Sequence, residues 1–309
     1  HSLRQLQYPP EQVEVLLGDD GSTDRTVAVA EEAMRGYAGT FRILPIQGQL
    51  GQARGKANVL AHLARAATTA YFCVTDADIA VPPTWLTGLL AHARPGVGIV
   101  TGLTLVAGPR RFHRLQGLDW LLALGLVQVV SDAGQPVTAM GNNMLVTRAA
   151  YEATGGYEQL PFSVIEDYQL FRAVLDQGFT YRNVYRPELL AESLPIYTWG
   201  GLLHQRRRWL LGVEALPGWL QACLGLYGSF HYALLALGLL AGWPAAAGVW
   251  GLRLLGQGLL AHVCFRRAGR RAPLLLLPLF ELYTLALSTG LLLFRVLPLR
   301  FVWKGRAYR

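Results

Sequence analysis

Residues 71–78 read Tyr71-Phe72-Cys73-Val74-Thr75-Asp76-Ala77-Asp78. The run Tyr71–Thr75 is apolar, partly β-branched and too short for a helix, so it predicts a buried strand closed by the two aspartates. In an extended strand end, residues i and i+2 point to the same side. Asp76 and Asp78 can therefore offer two carboxylates to one hard divalent cation that keeps positions open for phosphate oxygens. A strand-end Asx turn is the plainer reading of the same residues.

Upstream, the short apolar run Val13–Leu17 ends in Gly18-Asp19-Asp20-Gly21-Ser22-Thr23-Asp24. Residues 24–36 then read as a helix capped by Asp24 or Thr23, 41–46 as a strand, and 57–67 as a helix after a Gly-rich loop. Downstream, Pro82-Pro83 opens a helix through Ala93, and 97–106 reads as one strand. Residues 112–131 form an apolar helix interrupted by Asp119, packed on the domain or lying at a bilayer surface. Strands at 144–147 and 179–185 flank a helix at 167–177. Such strand–helix alternation predicts a doubly wound, mainly parallel α/β sheet. Ligands bind such sheets outside the carboxyl ends of the strands, where both acidic clusters fall.

Charge divides the chain. Residues 1–197 carry 15 Lys/Arg and 18 Asp/Glu, whereas 198–309 carry 13 Lys/Arg and 2 Asp/Glu. The overall +8 therefore belongs to the second part alone. Its basic residues border apolar runs, which suits an anionic membrane surface and argues against nucleic-acid binding. Residues 215–252 hold no Asp, Glu, Lys or Arg. Spans are expected near 224–243, 245–265 and 274–296, the last spanning or re-entrant. Three scattered cysteines (Cys73, Cys223, Cys264) exclude a disulfide framework and read as buried fillers. The histidines show no metal-ligand spacing. The chain opens at His1 inside an amphipathic pattern (Leu3, Leu6, Tyr8) and is expected to be a fragment.

Several further groups could do chemistry. Glu166-Asp167 begins a helix, where acidic residues are favourable in any case; a carboxylate there can also serve as a general base. Lys56 follows Gly51 and Gly55 in a loop that could approach phosphate, without nucleoside-triphosphatase spacing. Gly141-Asn142-Asn143 is either a turn or a polar contact for the substrate. Gln205-Arg206-Arg207-Arg208-Trp209 reads as an interfacial belt or as a pyrophosphate and sugar contact.

In this order — acidic strand end, D-x-D, E-D, Q-x-x-R-W, apolar helices — the motifs resemble the family 2 glycosyltransferases of GT-A fold, in their membrane-bound branch, over roughly residues 3–215. The resemblance implies that Asp19 and Asp20 lie at the nucleotide base, Asp76 and Lys56 at the donor, and Asp78 on a Mg²⁺ or Mn²⁺ ion. It implies Asp167 as catalytic base, with Asn142, Asn143, Glu166, Gln205, Arg208 and Trp209 at the pyrophosphate and acceptor. The expected activity is inverting transfer from a nucleotide-diphosphate sugar, by family habit a UDP-sugar, to a lipid-like or glycan acceptor at the cytoplasmic membrane face. The family's first strand and the start of its first helix would precede His1. The organisation this implies is a catalytic domain at 1–197, an interfacial amphipathic helix at 198–221 and a membrane region at 222–309 with two or three spans. Layout and the tail Trp303-Lys304-Gly305-Arg306 are similar to lipid- and carotenoid-directed glucosyltransferases, while Q-x-x-R-W is typical of polymerising members. A processive polysaccharide synthase and a non-catalytic membrane subunit are the competing readings.

Overall fold

The computed structural model describes residues 1–213, 216–296, 301–303 and 306–308; Lys304 and Gly305 of the tail lie outside them. The chain forms two compact units, His1–Leu105 with Val127–Ser193, and Val106–Leu126 with Leu194–Arg309.

The first unit begins with β1 (Glu14–Asp19), α1 (Thr26–Met34), β2 (Thr40–Pro45), α2 (Lys56–Ala66), β3 (Tyr71–Thr75), β4 (Ile79–Ala80) and α3 (Trp85–His92). There follow β5 (Val97–Thr101), β6 (Leu103–Val106), α4 (Arg111–Asp132), β7 (Asn143–Thr147), α5 (Arg148–Ala153), α6 (Gly156–Gln159), α7 (Glu166–Asp176), β8 (Thr180–Asn183) and β9 (Leu190–Ser193). The chain passes between the units at the end of β6, within α4, whose residues up to Leu126 belong to the second unit, and after β9.

The expected strands and helices form, but the sheet is mixed rather than mainly parallel. Its order is β3-β7-β5-β8, with β7 antiparallel to both β3 and β5 and only β5–β8 parallel. β1 and β2 pair in parallel as a separate ribbon, and β4-β9-β6 form a third sheet. The stretch expected as one strand, 97–106, breaks at Gly102 into β5 and β6, which join different sheets. A Cβ on Gly102 would stand 2.7 Å from the Asn143 amide and 2.9 Å from the Leu189 carbonyl, so only glycine lets the chain turn there. Both faces of the main sheet are covered. Met144 and Val146 pack with Leu170, Phe171 and Val174 of α7, whereas Leu145 points the other way, onto Trp85, Leu86 and Leu89 of α3. Between β1 and β3, which do not pair, lies a mainly apolar cavity of about 200 Å³ lined by Val15, Leu63, Phe72, Cys73, Val74 and Leu86 among others.

In the second unit, α8 (Trp199–Val213), α9 (Gly218–Ala241), α10 (Trp243–Arg267) and α11 (Leu277–Val296) precede a short hairpin of β10 (Phe301–Trp303) and β11 (Arg306–Tyr308). Among the described residues two stretches, Gly218–Ala241 and Leu274–Phe294, are long and apolar enough to cross a membrane. α10 covers the second expected stretch, 245–265, and carries Arg253 along it. Leu240 and Leu275 are 89% and 98% exposed, an outward apolar surface suited to lipid. Inside, Glu281 is buried and bonds His231 (3.1 Å) and Arg253 (3.0 Å), tying α9, α10 and α11 together.

Candidate active site

The Gly-rich loop before α2 is folded by Asn58, which accepts from Leu50 N and donates to the Gly48 carbonyl, both at 2.9 Å. Gly55, at φ +56°, then turns the chain into α2. This sets Lys56 as the first residue of the helix, with its ammonium 2.6 Å from Asp76 Oδ1 and 3.3 Å from Glu166 Oε1. Asp76 follows the end of β3, and Glu166 and Asp167 open α7, so the fold gathers groups from three separate elements. Burial works against the Lys56 charge, but Glu166, Asp76 and, less strongly, Asp167 outweigh it and hold its pKa above the ordinary lysine value.

Asp167 Oδ2 accepts the Gly141 backbone N–H at 3.0 Å. Gly141 has no room for a side chain: a Cβ there would stand 2.6 Å from the Asp167 Cβ. Among the described residues the buried Tyr157 hydroxyl has no hydrogen-bond partner. Burial first, then Glu166 and Asp167, push it well above the usual tyrosine range. Tyr157 was not legible as a site residue, because nothing local to it marks its neighbours.

The other expected residues fall as follows. Asp19 ends β1 and accepts Ser22 N at 3.1 Å, and Asp20 is exposed beside it. Asp24 accepts from the backbone and hydroxyl of Thr26, the first residue of α1, but the N-cap is Arg25 and carries no side-chain cap, so neither Asp24 nor Thr23 takes the capping position expected of them. Asp78 is exposed in the turn after Asp76. Asn142 accepts from the Thr104 hydroxyl at 3.2 Å. Asn143 is fully buried, and its amide is engaged by the Trp85 indole (2.8 Å) and by the Leu103 and Leu189 carbonyls (2.7 and 2.9 Å). That engagement gives Asn143 a structural task.

Gln205, Arg208 and Trp209 lie on α8 of the second unit, at a spacing that shares one helix face. The Trp209 ring already meets Trp120, centroids 4.5 Å apart, and the Arg206 guanidinium 4.2 Å away. Arg206 in turn pairs with Asp119 at 2.7 Å. Arg206 went unnoticed within its basic run. The signal for it was Asp119, an acid set among the apolar residues of α4, whose half-buried position favours a partner.

Among the described residues no group of three or more His, Cys, Asp or Glu side chains is arranged to hold a metal ion. A divalent ion that binds substrate phosphates needs only one or two protein carboxylates, the rest of its shell being phosphate and water. Asp76 already attracts a cation, the Lys56 ammonium. The hard oxygens of Asp76 and Asp78 are of the chemistry such an ion takes.

The sequence model described as Glycosyl transferase family 21 matches residues 1–309, the whole chain. The chain belongs to glycosyl transferase family 21. This agrees with the family 2 resemblance read from the motifs, since family 21 is family 2-like. The family 21 chain is 28% identical over 211 residues to a protein of Synechocystis sp. named beta-monoglucosyldiacylglycerol synthase, covering 67% of this chain and 42% of that one. It is also 28% identical over 216 residues to a protein of the same name from Nostoc sp., covering 68% and 44%. The chain therefore spans less than half the length of these curated relatives. Among solved structures, residues 1–349 of S. aureus TarS in complex with UDP-GlcNAc align over 99% of this chain and 90% of that one, at TM-score 0.42 and 11% identity. Glucosyl-3-phosphoglycerate synthase from Mycobacterium tuberculosis, in complex with Mn²⁺, UDP-glucose and phosphoglyceric acid, aligns over 64% and 67%, at 0.35 and 17%. With both scores below 0.5, the assignment rests on the family match.

Proposed function

We propose that this family 21 member transfers a hexose from a nucleotide-diphosphate sugar to a lipid-like acceptor at the cytoplasmic face of a membrane, with inversion at the anomeric carbon. The observation that carries the reading is the gathering of Asp76, after β3, and of Glu166 and Asp167, on α7, around Lys56 of α2. Direct displacement needs one group to take the acceptor's proton and positive charge to meet the departing diphosphate. Asp167, steadied by the Gly141 N–H, is the base in this reading. Asp76 and Lys56 face the donor, and Asp19 and Asp20 its base and ribose. Glu166 and Asn142 border the pyrophosphate, and Gln205, Arg208 and Trp209 serve the acceptor end. Mg²⁺ or Mn²⁺ held by Asp76 and Asp78 would supply charge neutralisation for the leaving group.

The two relatives' names support glucose and diacylglycerol as the first sugar and acceptor to try. The apolar outward surface of α9 and of 274–294 supports a membrane-borne acceptor. The test is incubation of membranes holding the full-length protein with labelled UDP-glucose and diacylglycerol vesicles. Label in the organic phase as a glycolipid is expected. Label confined to insoluble polymer would favour the processive alternative, and no transfer from any nucleotide sugar would favour a non-catalytic subunit.

A further inference from the structure

Lys56 is in an unfavourable place for its helix. The N-terminus of α2 carries the positive end of the helix dipole, and Gly55 offers no side-chain cap to offset a cation there. What holds the ammonium is the acid cluster, and the two contacts differ. The Glu166 side chain is 10% exposed, whereas those of Lys56 and Asp76 are 31% and 36% exposed. The Asp76 contact is thus open to solvent and the Glu166 contact is shielded. Three carboxylates also act on one ammonium, which leaves negative charge to attract a second cation.

We propose that Lys56 is a placeholder cation: it competes with a divalent ion for Asp76, keeps its hold on Glu166, and so hinders metal loading until a diphosphate arrives with the ion. This rests on Asp76 being the donor-site carboxylate. Its consequence is an order of events, in which metal and nucleotide enter together and the nucleotide-free protein binds metal weakly.

The test is a titration of the full-length protein in detergent with Mn²⁺ alone, without nucleotide, following free Mn²⁺ by electron paramagnetic resonance and thermal stability in parallel. Lys56→Met is expected to bind Mn²⁺ about tenfold more tightly than the parent, the loss of one competing ion pair at a partly exposed site. Lys56→Arg, which keeps a cation, should stay near the parent. Lys56→Gln repeats the test should the methionine variant fold poorly. Adding Asp76→Asn to Lys56→Met should return binding to the parent level or below. An unchanged Mn²⁺ midpoint in both neutral variants overturns the proposal, and so does tightening that survives removal of Asp76. The transferase reading fails separately, by absence of sugar transfer in the parent, whatever the Mn²⁺ titration gives.

Discussion

Gly141 and Asp167 are the tightest pair of the candidate site. A methyl group at Gly141 would press on the Asp167 Cβ and Oδ2, at 2.6 and 2.9 Å. Gly141→Ala should therefore turn the carboxylate from its place. The expected result is a fall in kcat of about 10²-fold with KM for the donor little changed, alongside a loss of roughly 1–3 kcal/mol of stability from overpacking. Steady-state kinetics and thermal unfolding of the same preparation check both; unaltered kcat would remove Asp167 from the reaction. At this scale the acids were legible, because D-x-D and E-D are local patterns. The task of Lys56 was not, since its partners lie 20 and 110 residues along the chain. The burial of Asn143 was equally hidden: an Asn-Asn pair in a turn reads the same whether it faces ligand or core.

At the scale of elements, strand β3 carries both a site residue and a wall of the cavity beside β1. Cys73 sits on that wall, and burial pushes its thiol up to about 12. The unfolded chain would ionise it near pH 9, so folding favours the protonated thiol. That stability is fully present below pH 9 and is lost as pH rises toward 12. Cys73→Val, which keeps the volume without the ionising group, should lessen the fall in unfolding midpoint between about pH 9 and 11; an identical pH profile would contradict the assignment. The existence of β3, β5 and β7 was readable from apolar runs, but direction was not. Periodicity is the same for parallel and antiparallel pairing, so β7 running between β3 and β5 emerged only from the fold. The break at Gly102 escaped notice because the reason for it is the Asn143 amide, contributed by another strand.

At the scale of the molecule, the charge division of the sequence foretold a basic, apolar second part. It did not foretell that residues 106–126 join it, because an apolar helix reads alike against either unit. Within that part the Glu281–His231–Arg253 cluster joins three helices, and its members are too buried to lose one partner lightly. Glu281→Leu should destabilise the protein in detergent by about 3–5 kcal/mol, and adding Arg253→Met should recover most of it; equal melting of single and double variants would show that the pair is not coupled. The central claim is that the carboxylates gathered from the end of β3 and the start of α7 around Lys56 of α2 perform sugar transfer. Its most direct test is donor binding and turnover of the Asp167→Asn variant in membranes, side by side with the parent. The account predicts a loss of transfer of about 10²–10⁴-fold with donor affinity retained. Transfer at the parent rate would contradict it.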